Sequence, residues 1–132
     1  MDRARLRTVL YIDDEPHIRE IVEMALTLRE SLTVLTCDSG GRALTLMYEQ
    51  KPDLVLLDVM MPDMDGPATL ARMRADPALA NIPVVFMTAK AMPQEVSGFL
   101  QSGAIGVIAK PFDPMQLENQ VLAMWERLAD GG

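Results

Sequence analysis

The sequence predicts an α/β protein built as an open parallel sheet with helices on both faces. Five short runs rich in β-branched residues and leucine alternate strictly with five segments whose apolar residues repeat at spacings of three and four. Most of the short runs are apolar throughout rather than alternating, the pattern of strands covered on both faces. Chemistry-bearing residues follow directly on the ends of several runs, where an open α/β sheet binds its ligands.

The first strand is Thr8-Val9-Leu10-Tyr11-Ile12, running into Asp13-Asp14-Glu15. The first helix carries Ile18, Ile21, Val22, Ala25 and Leu26, with Pro16 suited to its first turn. Leu32-Thr33-Val34-Leu35-Thr36 is the second strand, and Ser39 can cap a helix through Ala43, Leu44, Leu46 and Met47. Leu54-Val55-Leu56-Leu57 is the third strand and Asp58 follows it. A third helix runs from about Gly66 to Ala75 with Leu70 and Met73 inward, and Pro77 lies beyond its end. The fourth strand is Pro83-Val84-Val85-Phe86-Met87; Pro93 then opens a helix weakened by Gly98. Gly106-Val107-Ile108-Ala109 is the fifth strand. Asp113 can cap the last helix, with Pro114 in its first turn and Leu117, Val121, Met124, Trp125 and Leu128 as its stripe. Ala129-Asp130-Gly131-Gly132 reads as a frayed tail.

Length and composition bound the function. A chain of 132 residues fits a single domain, 1–132, that buries its own core without staples. No apolar run approaches the ~20 residues of a membrane span, and the N-terminus lacks a secretory pattern. The one cysteine, Cys37, has no internal partner and agrees with a reducing, cytoplasmic compartment. A formal charge of −7 without a basic cluster disfavours direct contact with nucleic acid or anionic membranes. It leaves open whether the acidity serves protein partners and metal-held anions or only solubility.

If the strands are parallel neighbours, Asp13, Asp14, Asp58, Thr88 and Lys110 meet at one edge. Carboxylates packed together repel by roughly 4 kcal/mol per pair at about 4 Å and moderate dielectric. A hard divalent cation removes that conflict, and Mg²⁺ takes one or two carboxylates plus waters and phosphate oxygens. Lys110 adds a second positive charge and Thr88 a hydroxyl. An aspartate facing these groups is placed to accept a phosphoryl group. Residues 62–66, "PDMDG", make a tight loop, with Asp63 and Asp65 as turn and cap residues and Gly66 available for an unusual φ.

Together, "YIDDE", "LVLLDVMMPDMDG", "VVFMTAK" and "GAIGVIAKPF" resemble the receiver domain of bacterial two-component response regulators, over about residues 6–128. The resemblance implies a flavodoxin-like (βα)5 three-layer sandwich with strand order 2-1-3-4-5. It implies Asp58 as phosphoacceptor, Asp13 and Asp14 as the acidic pair that holds Mg²⁺, and Met60 as donor of a backbone carbonyl to the ion. Thr88 matches the switch hydroxyl, Lys110 the lysine that pairs with the phosphoryl group, and Lys110-Pro111 a peptide bond that is usually cis. One position departs: where the family often carries an aromatic three residues before the lysine, this chain has Val107. Switching through a rotating aromatic is therefore in question. Met60 and Lys90 match positions flanking the hydrolytic water's path, and either tune phosphoryl lifetime or point to solvent.

The expected function is a phosphorylation-dependent signalling switch. A partner histidine kinase or histidine phosphotransfer protein supplies the phosphoryl group, and the face formed by the fourth helix, fifth strand and fifth helix then shifts its contacts with a downstream protein. Gly98, Gly103 and Gly106 suggest that this face is soft. The chain carries no winged helix, helix-turn-helix or catalytic domain after the fifth helix; a stand-alone monomeric regulator or a receiver cut from a longer protein both fit. Two rivals are a Mg²⁺-dependent phosphohydrolase and a pseudo-receiver that only binds. The first places a second Asp two residues after its nucleophile, where this chain has Met60; the second has no need of the full Asp13, Asp14, Asp58, Thr88 and Lys110 set. His17 reads as an exposed helix residue rather than a phosphohistidine, and Cys37 as packing. The eleven methionines read mostly as core, with Met92 a candidate partner contact.

Overall fold

A computed structural model describes residues 5–129. Its elements alternate as expected: β1 (Thr8–Ile12), α1 (Pro16–Leu26), β2 (Thr33–Cys37), α2 (Gly40–Gln50), β3 (Leu54–Asp58), α3 (Gly66–Ala75), β4 (Val84–Thr88), α4 (Pro93–Gln101), β5 (Gly106–Ala109) and α5 (Pro114–Ala129). The strands form one parallel sheet in the order β2-β1-β3-β4-β5. This is the flavodoxin-like arrangement. β2 and β4 begin one residue later than the sequence suggests and close, as expected, on Cys37 and Thr88. Helix α5 runs through Ala129, which removes that residue from the expected tail; Asp130, Gly131 and Gly132 lie outside the described residues.

The pleat sorts the strand residues onto two cores. Val9, Tyr11, Leu54, Leu56, Val85, Met87 and Ile108 pack under α1 and α5, joined by Val22, Leu26, Leu117, Val121 and Trp125. Leu10, Ile12, Val55, Leu57, Val84 and Phe86 pack under α2 and α3, with Ala43, Met47, Leu70 and Met73. The edge strand β2 departs from expectation, since none of its residues is fully buried. One side of an edge strand has no neighbour in the sheet, and its flanking helices cover it only in part.

Local signals placed the helices. Ser39 Oγ accepts from the Arg42 amide at 3.2 Å, Asp65 Oδ1 from the Ala68 amide at 2.9 Å, and Asp113 Oδ1 from the Met115 amide at 2.9 Å. Each satisfies a first-turn donor that the helix leaves unpaired. Asp63 takes the turn, with a left-handed φ of 68°. Gly66 has no positive φ, contrary to the expectation; its reason is space. A Cβ there would lie 2.7 Å from the Asp58 carbonyl oxygen and 2.9 Å from Val59 Cα. Gly106 is likewise a packing glycine rather than a soft spot, because a Cβ would meet Met124 Sδ at 2.5 Å. Gly103, at φ 113°, is the one that turns the chain after α4. Core filling accounts for only some methionines: Met47, Met61, Met73 and Met87 are buried, whereas Met24, Met60, Met92 and Met115 are largely exposed.

Candidate phosphoacceptor site

The carboxyl ends of β1, β3 and β5 bring Asp13, Asp58 and Lys110 together. Asp13 is fully buried and Asp58 is 5% exposed. Lys110 Nζ donates to Asp13 Oδ2 at 2.9 Å and to Asp58 Oδ1 at 2.8 Å. Asp14 completes the acidic group, and one oxygen from each of the three carboxylates lies within 4.8 Å of the others. Such hard, clustered oxygens fit a hard divalent cation of the Mg²⁺ type.

The loop after β1 is tightly tied. Asp13 Oδ1 accepts from the Glu15 amide at 2.9 Å, and Arg19 Nη1 donates to the Asp13 carbonyl at 2.8 Å. Tyr11 Oη donates to Asp13 Oδ2 at 2.5 Å. The sequence places Tyr11 in the first strand and gives it no part in the site. Strand period was the available signal, since Asp13, one residue past β1 and still bonded to the Cys37 carbonyl at 3.1 Å, stands two residues on from Tyr11.

Burial and partners oppose each other here. Burial pushes the Asp58 carboxyl above the ordinary aspartate range; the Lys110 hydrogen bond pulls it down, and the charges of Asp13 and Asp14 push it up again. Burial alone would lower the Lys110 ammonium, but its bonds to Asp58 and Asp13 outweigh that and leave it raised. Burial, reinforced by Asp13, pushes the Tyr11 phenol up, so it stays a hydroxyl donor. One lysine thus answers several acids at an edge that favours more positive charge.

Thr88 is also at this edge and nearly buried, but its Oγ1 accepts from the Lys90 amide at 2.9 Å, and no hydrogen bond joins it to Asp58. Met60 and Lys90 are exposed, so their side chains point outward. His17 is exposed, as expected. Cys37 is half-buried, its thiol raised by burial and donating to the Ser39 carbonyl at 3.6 Å, in keeping with packing. The Lys110-Pro111 peptide is cis, as the resemblance implied. Val107 is half-buried beside the Phe86–Phe99 ring pair, whose centroids are 5.1 Å apart. An apolar groove of about 400 Å³ borders the site, lined by Ile18, Ile21, Pro111, Phe112 and Pro114 with Lys110.

Among the described residues, no helix is long and apolar enough to cross a membrane. Residues 9–122 match the family model described as the response regulator receiver domain. The chain is 38% identical over 130 residues to the DNA-binding response regulator MtrA of Mycolicibacterium smegmatis, covering 98% of this chain and 55% of that protein. It is 33% identical over 125 residues to the phosphate regulon transcriptional regulatory protein PhoB of Pseudomonas aeruginosa, covering 95% and 54%. The chain therefore spans about half the length of these curated relatives. The chemotaxis response regulator CheY4 of Vibrio cholerae superposes with a TM-score of 0.82 at 26% identity, over 90% of this chain and 98% of that one. A family match across most of the chain, the shared strand order and acids gathered at the carboxyl edge agree: the chain belongs to the response regulator receiver domain family, the phosphorylation-dependent signalling switch of two-component systems.

Proposed function

We propose that Asp58 accepts a phosphoryl group from a phosphohistidine on a partner histidine kinase or phosphotransfer protein. The observation that carries this reading is Lys110 Nζ bridging Asp58 and Asp13 inside the three-carboxylate cluster. A carboxylate oxygen of Asp58 attacks phosphorus, the P–N bond breaks, and the imidazole leaves with the electron pair. Lys110 already donates to the attacking Asp58 carboxylate and would offer its charge to the incoming phosphoryl oxygens. Asp13, Asp14 and Asp58, with the Met60 backbone carbonyl, would hold Mg²⁺. When bound, the ion neutralises charge on the phosphoryl oxygens.

Thr88 would exchange its bond with the Lys90 amide for one to the phosphoryl group. That moves the loop after β4, at whose far end α4 begins. The resulting acyl phosphate replaces the single carboxylate charge beside Lys110 with up to two negative charges on the phosphoryl oxygens, and water returns the carboxylate. The donor's approach is supported by the apolar groove, whose wall includes Lys110 itself. A downstream protein that reads the α4 side, where Met92 and Leu100 are exposed, fits the same reading, as does a cytoplasmic location.

The test is intact-protein mass after incubation with acetyl phosphate and Mg²⁺, for wild type and Asp58→Asn. The expected result is a single phosphoryl adduct in wild type, absent without Mg²⁺ and absent in Asp58→Asn. An adduct that persists in Asp58→Asn would move the acceptor elsewhere. No adduct from acetyl phosphate or from a histidine-phosphorylated donor would leave a binding-only pseudo-receiver.

A further inference from the structure

Resting on the metal-binding reading above, we infer that Tyr11 is a positioning residue for that site: its hydroxyl fixes the Asp13 carboxylate so that Oδ1 faces the cation. The buried strand β1 is otherwise aliphatic between Val9 and Ile12, and Tyr11 is its one polar side chain in the core. A buried phenol needs a hydrogen-bond partner. Here the partner is not a backbone carbonyl but the first acid of the cluster, at 2.5 Å.

The division of donors on Asp13 gives the hydroxyl its role. Oδ2 accepts two hydrogen bonds, from Tyr11 Oη and Lys110 Nζ, whereas Oδ1 accepts one, from the Glu15 amide. Lone-pair capacity for a cation is therefore concentrated on Oδ1. Lys110 cannot hold Oδ2 under all conditions, because it is shared with Asp58 at 2.8 Å. A phosphoryl group on Asp58 would draw its ammonium away. Tyr11 then remains the donor that keeps the carboxylate from rotating. Side chains that orient metal ligands in this way typically change metal affinity about 10- to 100-fold when removed.

The alternative is that the hydroxyl merely finds the nearest acceptor for a core tyrosine. Tyr11→Phe separates the two, since it removes the oxygen and keeps the ring. The experiment is calorimetric titration of Mg²⁺ into wild type, Tyr11→Phe and Asp13→Asn, without phosphodonor, beside urea unfolding of each. The expected result is Mg²⁺ binding by wild type and a Kd weaker by about 10-fold in Tyr11→Phe. Asp13→Asn should weaken binding at least as much. In wild type labelled with ¹³C-tyrosine, Mg²⁺ should shift the Tyr11 Cζ resonance and leave the exposed Tyr48 unmoved. This second readout stands even if the variant folds poorly. Equal Mg²⁺ affinity in wild type and Tyr11→Phe, or a Tyr11 resonance indifferent to Mg²⁺, would overturn the inference while leaving the phosphoacceptor reading intact. Failure of wild type itself to bind Mg²⁺ would remove the metal reading and the inference with it.

Discussion

Asp13 and helix α4 both border the carboxyl edge of one sheet, but they are held in opposite ways. Asp13 is fully buried, its carboxylate accepts from Tyr11, Lys110 and Glu15, and its carbonyl accepts from Arg19. Helix α4 has no buried residue, its cap Met92 makes no side-chain hydrogen bond, and Met92 and Leu100 are exposed. Its main anchors are half-buried, with Phe99 against Phe86. If Asp58 takes the phosphoryl group as proposed, the charge meets a rigid receptor, and α4 is the helix with least to lose on moving. Segments with few buried apolar contacts open at low free-energy cost.

The largest expected effect lies at Lys110, which holds the rigid end together. Lys110→Met leaves Asp13 and Asp58 buried together without their cation, and breaking a buried pair costs about 3–5 kcal/mol. Urea unfolding without Mg²⁺ should show that loss. The pH dependence has a definite sign. Asp58 is already raised by burial, and in the variant the opposing Lys110 contribution is gone. An acid whose folded pKa lies above its unfolded one carries no penalty while protonated in both states. The penalty grows as pH rises through the folded value. The gap between wild type and variant should therefore be small in acid and widest at neutral pH, and saturating Mg²⁺ should narrow it. A gap independent of pH would show that the cluster is not a charge problem.

A smaller effect sharpens the rigid side further. Gly66→Ala would drive a Cβ into the Asp58 carbonyl and Val59 backbone, which cannot swing aside like a side-chain tip. Overpacking of this kind costs about 1–3 kcal/mol, and it displaces Asp58, the proposed acceptor. Unfolding midpoints measure the first part, and the rate of adduct formation from acetyl phosphate measures the second. A variant with wild-type stability and rate would mean the loop after β3 yields as readily as α4.

How much of this was legible in the sequence follows from what each signal depends on. The elements were legible because the strands are short apolar runs, the helices repeat at three and four, and several helices carry their own punctuation, such as Ser39, Asp65 and Asp113. Asp13, Asp58 and Lys110 were legible as a group because parallel strands put their carboxyl ends at one edge whatever the strand order. Tyr11 was not, because an aromatic in a buried run is satisfied by the core reading, and only the pleat reveals what its hydroxyl meets. Gly66 and Gly106 were misread for a related reason: a glycine's sequence shows freedom of φ, whereas its crowding comes from Asp58 and Met124. Arg74 escaped notice too. Its guanidinium donates to the Ala80, Ile82 and Gly103 carbonyls, tying α3 to the turn after α4. Those acceptors lie up to 29 residues away, so nothing local announces them.

The smallest expected effect tests the loose side. Gly98 lies inside α4 with nothing within 4 Å of the position a Cβ would take. Alanine there removes backbone freedom from the unfolded chain and adds no clash, so Gly98→Ala should stabilise by about 0.5–1 kcal/mol. The same change should slow amide exchange within α4 while leaving β1 and β3 amides limited by global unfolding. It touches no group at Asp58, so the adduct should form at the wild-type rate. If α4 is the mobile reporter, stiffening it alters what a partner can read without altering what Asp58 accepts. Destabilisation by Gly98→Ala would mean that α4 is pressed against something its exposed face does not show. A changed adduct rate would mean that the two regions are not separable, and that the stiffness of the acid cluster depends on the very helix it is contrasted with.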